Sequence, residues 1–148
     1  MKRWQIILLF LLASNIIFMC ILYHLQQNEY DFSIQGVKYQ ICVVNGFTNN
    51  SSLPLVIWCR TRDGDIGGRA LQEGDDYTWY TRLSFWTPAP AYSCTIKWDR
   101  TRKMFEAFQV HQGRARCGTT RKCLWLVKED GIYFSNNDSN WVKDFSWI

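Results

Sequence analysis

The chain has 148 residues, 47% hydrophobic and 16% aromatic, with a formal charge of +4. Aromatic residues recur along the whole length rather than in one tail, which excludes a disordered, solvating chain. So small a charge excludes a polycation that holds nucleic acid or anionic membrane by bulk electrostatics.

The first element is apolar. After Met1-Lys2-Arg3 come Ile6 to Leu12 and, past Ala13-Ser14-Asn15, Ile16 to Leu22. A basic start ahead of an apolar core is the form of a secretory signal. Trp4 to Tyr23 also approximates the ~20 residues of a membrane-spanning helix, so a retained anchor is the alternative. The polar Ser14-Asn15 pair and the lack of a second span favour removal. The expected organisation is a leader over 1–30, with its cleavage point open, and one secreted domain over 31–148. Removing Lys2 and Arg3 from +4 leaves about +2.

Short strand-like runs closed by turn residues follow. Gly36 to Val44 ends at Asn45-Gly46, a pair that accepts φ > 0. Leu55 to Arg60 is the second run, and Asp63-Gly64-Asp65-Ile66-Gly67-Gly68 after it reads as a folded loop. Tyr77 to Leu83 precedes the Pro88-Ala89-Pro90 break. In Tyr92 to Trp98, Tyr92, Cys94, Ile96 and Trp98 share one face, while Ser93, Thr95 and Lys97 share the other. Lys103 to Val110 alternates more weakly. Leu124 to Val127 faces Ile132 to Phe134 across Glu129-Asp130-Gly131, a hairpin signal. A last strand lies in Trp141 to Trp147. Even spacing without helical periodicity predicts an all-β fold, a small antiparallel sandwich with little helix.

Cysteine usage fits an oxidising compartment. Cys59, Cys94, Cys117 and Cys123 sit in or beside strands, whereas a zinc site would need a C-x2-C knuckle or an H-x3-5-H pair and finds neither. Four cysteines allow three pairings, and spacing leaves all three open. The inward register of Cys59 and Cys94 leans toward a core Cys59–Cys94 bridge and a local Cys117–Cys123 staple. Cys42 is left over, either as a buried thiol or as an intermolecular bridge, the buried thiol being favoured.

Three sequons, at Asn49, Asn50 and Asn137, mark acceptor positions in loop-like sequence. Asp63, Asp65, Asp75 and Asp76 do not follow the calcium-loop framework, because Gly67 stands at its third ligand position. No metal or cofactor is expected. Arg100, Arg102 and Lys103, and separately Arg114, Arg116, Arg121 and Lys122, lie among aromatics and read as solvated faces or, in the sharper reading, as a patch for anionic wall glycans. A ribonuclease would need two histidines, and His111 stands alone beyond the leader. A glycoside hydrolase could nominally draw on Asp63, Asp65, Glu73, Asp75 and Asp76, but acids in turns are more often solvated.

The succession Val43-Val44-Asn45-Gly46, Leu55-Val56-Ile57-Trp58-Cys59-Arg60-Thr61-Arg62-Asp63-Gly64-Asp65-Ile66-Gly67, Tyr77-Thr78-Trp79, Tyr92 to Trp98, and Cys117 to Trp125 with Gly131-Ile132-Tyr133 resembles the plant self-incompatibility S-protein homologue family over residues 38 to 147. The resemblance implies a small secreted sandwich, two internal disulfides from the four matching cysteines, and a ligand role. The best understood members act from the pistil to reject self pollen. The chain departs from the pattern at Trp58, where the family commonly has histidine, at Gly64, where it has an acid, and at the additional Cys42.

The expected function is therefore a secreted, non-enzymatic recognition ligand for a cell-surface receptor or other extracellular protein. It would be monomeric, free of membrane after signal removal and indifferent to nucleic acid. Its expected partner-binding loop is Arg62 to Gly68, above all Arg62, Asp63 and Asp65, with Asp99 to Lys103 as a second candidate. An extracellular module for anionic wall glycans is the alternative, and a secreted hydrolase a more distant one.

Overall fold

The computed structural model describes residues 2–49, 53–88 and 90–147 and divides into two units, Met1–Gly36 and Val37–Ile148. The first is one helix, α1 (Arg3–Gln35). Its Arg3–Leu25 segment, 23 residues at mean hydropathy 2.6, is long and apolar enough to cross a membrane. Ser14 Oγ and Asn15 Nδ2 both donate to the Leu11 carbonyl, at 3.0 and 2.9 Å. The polar pair is thus accommodated within the helix by local back-bonding.

The second unit is a two-layer β-sandwich. Its strands are β1 (Val37–Asn45), β2 (Leu55–Arg60), β3 (Asp65–Leu71), β4 (Asp76–Leu83), β5 (Tyr92–Trp98), β6 (Thr101–Phe108), β7 (Lys122–Lys128), β8 (Gly131–Ser135) and β9 (Val142–Phe145), with a helix α2 (Val110–Cys117) before β7. One sheet runs β4-β1-β7-β8-β9 and the other β3-β2-β5-β6. Every pairing is antiparallel except β1 with β7, which is parallel. The sandwich expected from the sequence is present, and its one parallel pair joins strands far apart in the chain, a pairing no local turn signal announces.

Alternation sets the core. On β2, Leu55, Ile57 and Cys59 are buried while Val56, Trp58 and Arg60 are exposed, and on β5 Tyr92, Cys94 and Ile96 are buried against them. Cys59 and Cys94 are directly opposed in the β2–β5 register and form one disulfide. The second joins Cys117, at the end of α2, to Cys123 near the start of β7. From the five-stranded sheet Ile41, Val43, Trp125, Val127 and Ile132 complete the interior. The buried Asn45 donates from Nδ2 to the Leu71 carbonyl at 2.9 Å and accepts from the Phe47 amide at 3.1 Å, which fixes the turn after β1.

Two segments differ from the sequence reading. Asp65–Leu71, read as a loop through Gly68, is an edge strand. Its glycines carry little strand propensity, but β2 supplies a ladder for Gly68 opposite Trp58 and Ala70 opposite Val56. The register shift at Cys59/Arg60 is a bulge, and Gly67 at φ +105° supplies the backbone there that other residues resist. Val110, placed at the end of a strand by the sequence reading, instead opens α2. That helix buries only Gly113 and Cys117, four residues apart, so its amphipathic signal is faint. Gly113 lets it sit on Phe108, since a Cβ there would stand 2.6 Å from the ring.

Candidate functional site

Strand register gathers the connections at the two ends of the sandwich. Arg60 closes β2 opposite Ser93, near the start of β5. The β2–β3 turn and the loop from β4 to β5 therefore leave the same end of the fold. The turn is stiff. The Thr61 amide and hydroxyl both donate to the Gly64 carbonyl, at 2.7 and 3.1 Å, and Thr61 Oγ1 accepts from the Asp63 amide at 3.2 Å. Arg62 and Asp63 are exposed on it, and Asp65 begins β3 opposite Arg60. Of the expected loop, only Arg62 to Gly64 is a turn; Asp65 to Gly68 belongs to the strand.

The Asp99–Lys103 segment is not brought to this end. Asp99, at φ +52°, and Arg100 make the β5–β6 turn at the opposite end, and Thr101 opposite Trp98 already belongs to β6.

The β4–β5 loop carries a feature that the sequence reading missed. Phe85 and Trp86 are 95% and 80% exposed, adjacent rings with centroids 6.2 Å apart at an interplanar angle of 72°. Ser84 Oγ and Thr87 Oγ1 lie 2.8 Å apart, and Ser84 Oγ accepts from the Thr87 amide at 3.2 Å, closing a small turn that holds both rings outward. Two large adjacent rings so exposed form an apolar tip on the domain rather than scattered surface apolarity. The available signal was a Phe-Trp pair between strand and proline break, with no partner in either sheet's alternation.

Beneath this end, the outer face of β3-β2-β5-β6 carries a groove of ≈ 410 Å³. Its middle row is Gly68, Trp58, Thr95 and Met104, in cross-strand register. Arg60, Asp65 and Ser93 border it on the side of the turn, and Arg102 on the other. Trp58, Arg60 and Arg102 are thus outer-face residues, legible as the residues opposite to Leu55, Ile57 and Cys59 on β2 and to Phe105 on β6.

Other expected positions fall elsewhere. Arg116 is withdrawn from the basic patch. It forms a bidentate pair with Asp144, both contacts at 2.9 Å, and its guanidinium lies 4.1 Å above the Phe134 ring. Arg114, Arg121 and Lys122 remain exposed. Asp75 and Asp76 stand at the far end of β3 from Asp63 and Asp65, accepting from the Gln72 amide at 2.9 Å and the Thr78 hydroxyl at 2.6 Å. Among the described residues, no three His, Cys, Asp or Glu side chains gather as a metal site would require. Cys42 is a buried free thiol on β1. Burial pushes its pKa up, which keeps it protonated and unreactive. Asn49 is exposed, and exposed Asn137 organises the β8–β9 turn by accepting from the Ser139 and Asn140 amides; Asn50 lies outside the described residues.

Known proteins match this chain over much of its length. A family model described as plant self-incompatibility protein S1 matches residues 40–147. S-protein homolog 6 of Arabidopsis thaliana is 31% identical over 110 residues, 74% of this chain and 75% of that protein. S-protein homolog 27 of the same plant is 29% identical over 125 residues, 83% and 78% of the two chains. Self-incompatibility protein S1 of Papaver rhoeas is 28% identical over 96 residues, 64% and 66%. No solved structure matches the chain.

Proposed function

The chain belongs to the plant self-incompatibility protein S1 family, and from that membership we propose a secreted, non-enzymatic ligand that docks on an extracellular receptor to signal between cells, in the manner of pollen–pistil recognition. Phe85 and Trp86 carry this reading. Burying two large, nearly fully exposed rings is the strongest apolar gain the folded unit offers a partner, and aromatic anchors dominate binding energy at protein interfaces. The charged turn at the same end, Arg62 and Asp63 with Asp65 at its foot, supplies selectivity, because a wrong partner would meet it with like charge. Gly64 in place of a family acid gives this turn a charge pattern of its own.

Two disulfides on a domain of this size suit an oxidising, extracellular setting. The apolar helix acts as the leader and leaves, so the ligand works as a soluble monomer, with Asn49 and Asn137 as exposed glycan acceptors. N-terminal sequencing of the protein in an extracellular fraction is expected to find a chain lacking Met1 to Tyr23. Recovery only as an integral membrane species with its N-terminus intact would overturn removal of the leader.

Binding to intact cells of reproductive tissue tests the docking end. Phe85→Ser with Trp86→Ser is expected to weaken binding at least tenfold, and Asp63→Lys with Asp65→Lys to change it by a comparable factor. Both pairs should melt within about 2 °C of the parent, since exposed positions contribute little stability. Undiminished binding by the double serine variant would exclude the tip. A large loss of stability in the lysine variant would make Asp63 and Asp65 structural.

A further inference from the structure

We propose that the outer face of the four-stranded sheet is a separate binding site for an acidic oligosaccharide, a chain of uronic acid units whose ring stacks on Trp58. The indole lies against its neighbouring strand. A Cβ on Gly68 would stand 2.8 Å from the Ile57 carbonyl oxygen, 3.1 Å from the indole Cε3 and 3.4 Å from its Cδ2, so the ring edge packs on backbone that carries no side chain. The side chain is nevertheless 54% exposed. A flat apolar plate fixed in advance binds the C–H face of a sugar at small ordering cost. Met104, 60% exposed in the same cross-strand row, extends the plate.

Polar groups around the plate suit a polyhydroxylated ring. Ser93 and Thr95 donate and accept, Asp65 accepts, and Arg60 donates. Charge then selects the acid. Among the described residues neither Arg60 nor Arg102 has a carboxylate within ion-pair distance; in the groove lining two guanidiniums face one carboxylate, Asp65, and on the same outer face Lys97 and Glu106 add one charge of each sign. A guanidinium fork binds a carboxylate bidentately. Arg60 and Arg102 lie on opposite sides of the Trp58 row, a spacing that suits a polymer with a carboxylate on each unit. A peptide strand fits less well, because β2 and β5 are the central strands of their sheet and their backbone groups are already paired.

The site shares Asp65 with the foot of the charged turn but takes nothing from the aromatic tip, and its test, which leaves Asp65 unchanged, can fail without touching the receptor reading. The secreted product of the full chain is titrated calorimetrically with a galacturonic acid trimer, a neutral galactose trimer and a glutamate trimer. Saturable binding of the acidic sugar is expected, at least tenfold tighter than either control. Trp58→Ala and Arg102→Gln should each lose at least tenfold, and Phe85→Ser nothing. Should Trp58→Ala not be secreted, the exposed Arg102→Gln variant and the three-ligand comparison still decide. No saturable binding, equal affinity for the neutral or peptide control, or binding unchanged in Arg102→Gln would overturn the proposal.

Discussion

Trp125→Ala is expected to lower the unfolding free energy by about 3–5 kcal/mol, the range for removing a large buried aromatic side chain. Trp125 is 2% exposed on β7 and packs against rings from three other strands: Phe105 at 5.0 Å, Phe134 at 4.9 Å and Phe145 at 6.2 Å between centroids. Its Nε1 donates to the Ala107 carbonyl at 3.0 Å, tying β7 in one sheet to β6 in the other. Arg116, held by Asp144, covers the ring at 5.4 Å. Alanine removes the aromatic contacts, opens a cavity and deprives the Ala107 carbonyl of this donor. Since domains of this kind are stable by only about 5–15 kcal/mol, the secreted yield should fall sharply. Denaturant unfolding measures the change, with the midpoint lowered and the slope unaltered. A loss under about 1 kcal/mol would mean that the two sheets are not joined through this residue.

Replacing Cys59 and Cys94 together by alanine is expected to cost about 4 kcal/mol, and replacing Cys117 and Cys123 together about 2 kcal/mol. The difference comes from the unfolded chain. The first bridge spans a sequence separation of 35 and the second only 6, so the first removes more loop-closure entropy. Alanine rather than serine avoids placing a hydroxyl at Cys59 and Cys94, both fully buried. Equilibrium unfolding of the two double variants under identical conditions checks the order. Equal costs, or the reverse order, would mean that native-state packing around the sulfurs outweighs restriction of the unfolded chain.

Much of the scaffold was legible locally. The alternation Leu55, Ile57, Cys59 against Val56, Trp58, Arg60 specifies which face of β2 is buried, because side chains on a strand alternate faces whatever the register. The β7–β8 hairpin followed from Glu129-Asp130-Gly131, as its turn is encoded within a few residues. β3 was not legible, since Gly67 and Gly68 lack strand propensity and gain a ladder only from β2. α2 was hidden for a related reason: two buried residues do not make a periodicity. Arg116 looked like part of a cationic patch until Asp144, 28 residues later, came beside it.

The proposed docking end shows the same division. Arg62 and Asp63 were identifiable as turn residues, and the turn does present them to solvent. Phe85 and Trp86 were not, because apolar residues in an aromatic-rich sequence are core by default, and only the absence of a sheet partner exposes them. The sequence by itself determined the apolar N-terminal segment, the all-β class, the family and the inward faces of the strands, all set by composition, local spacing or residue succession. The tertiary structure alone decided which loops share an end, which cysteines meet, which arginines stay unpaired and where Trp58 finds Gly68. Those are relations between residues distant in the chain, fixed by strand register and sheet packing, which local sequence does not specify.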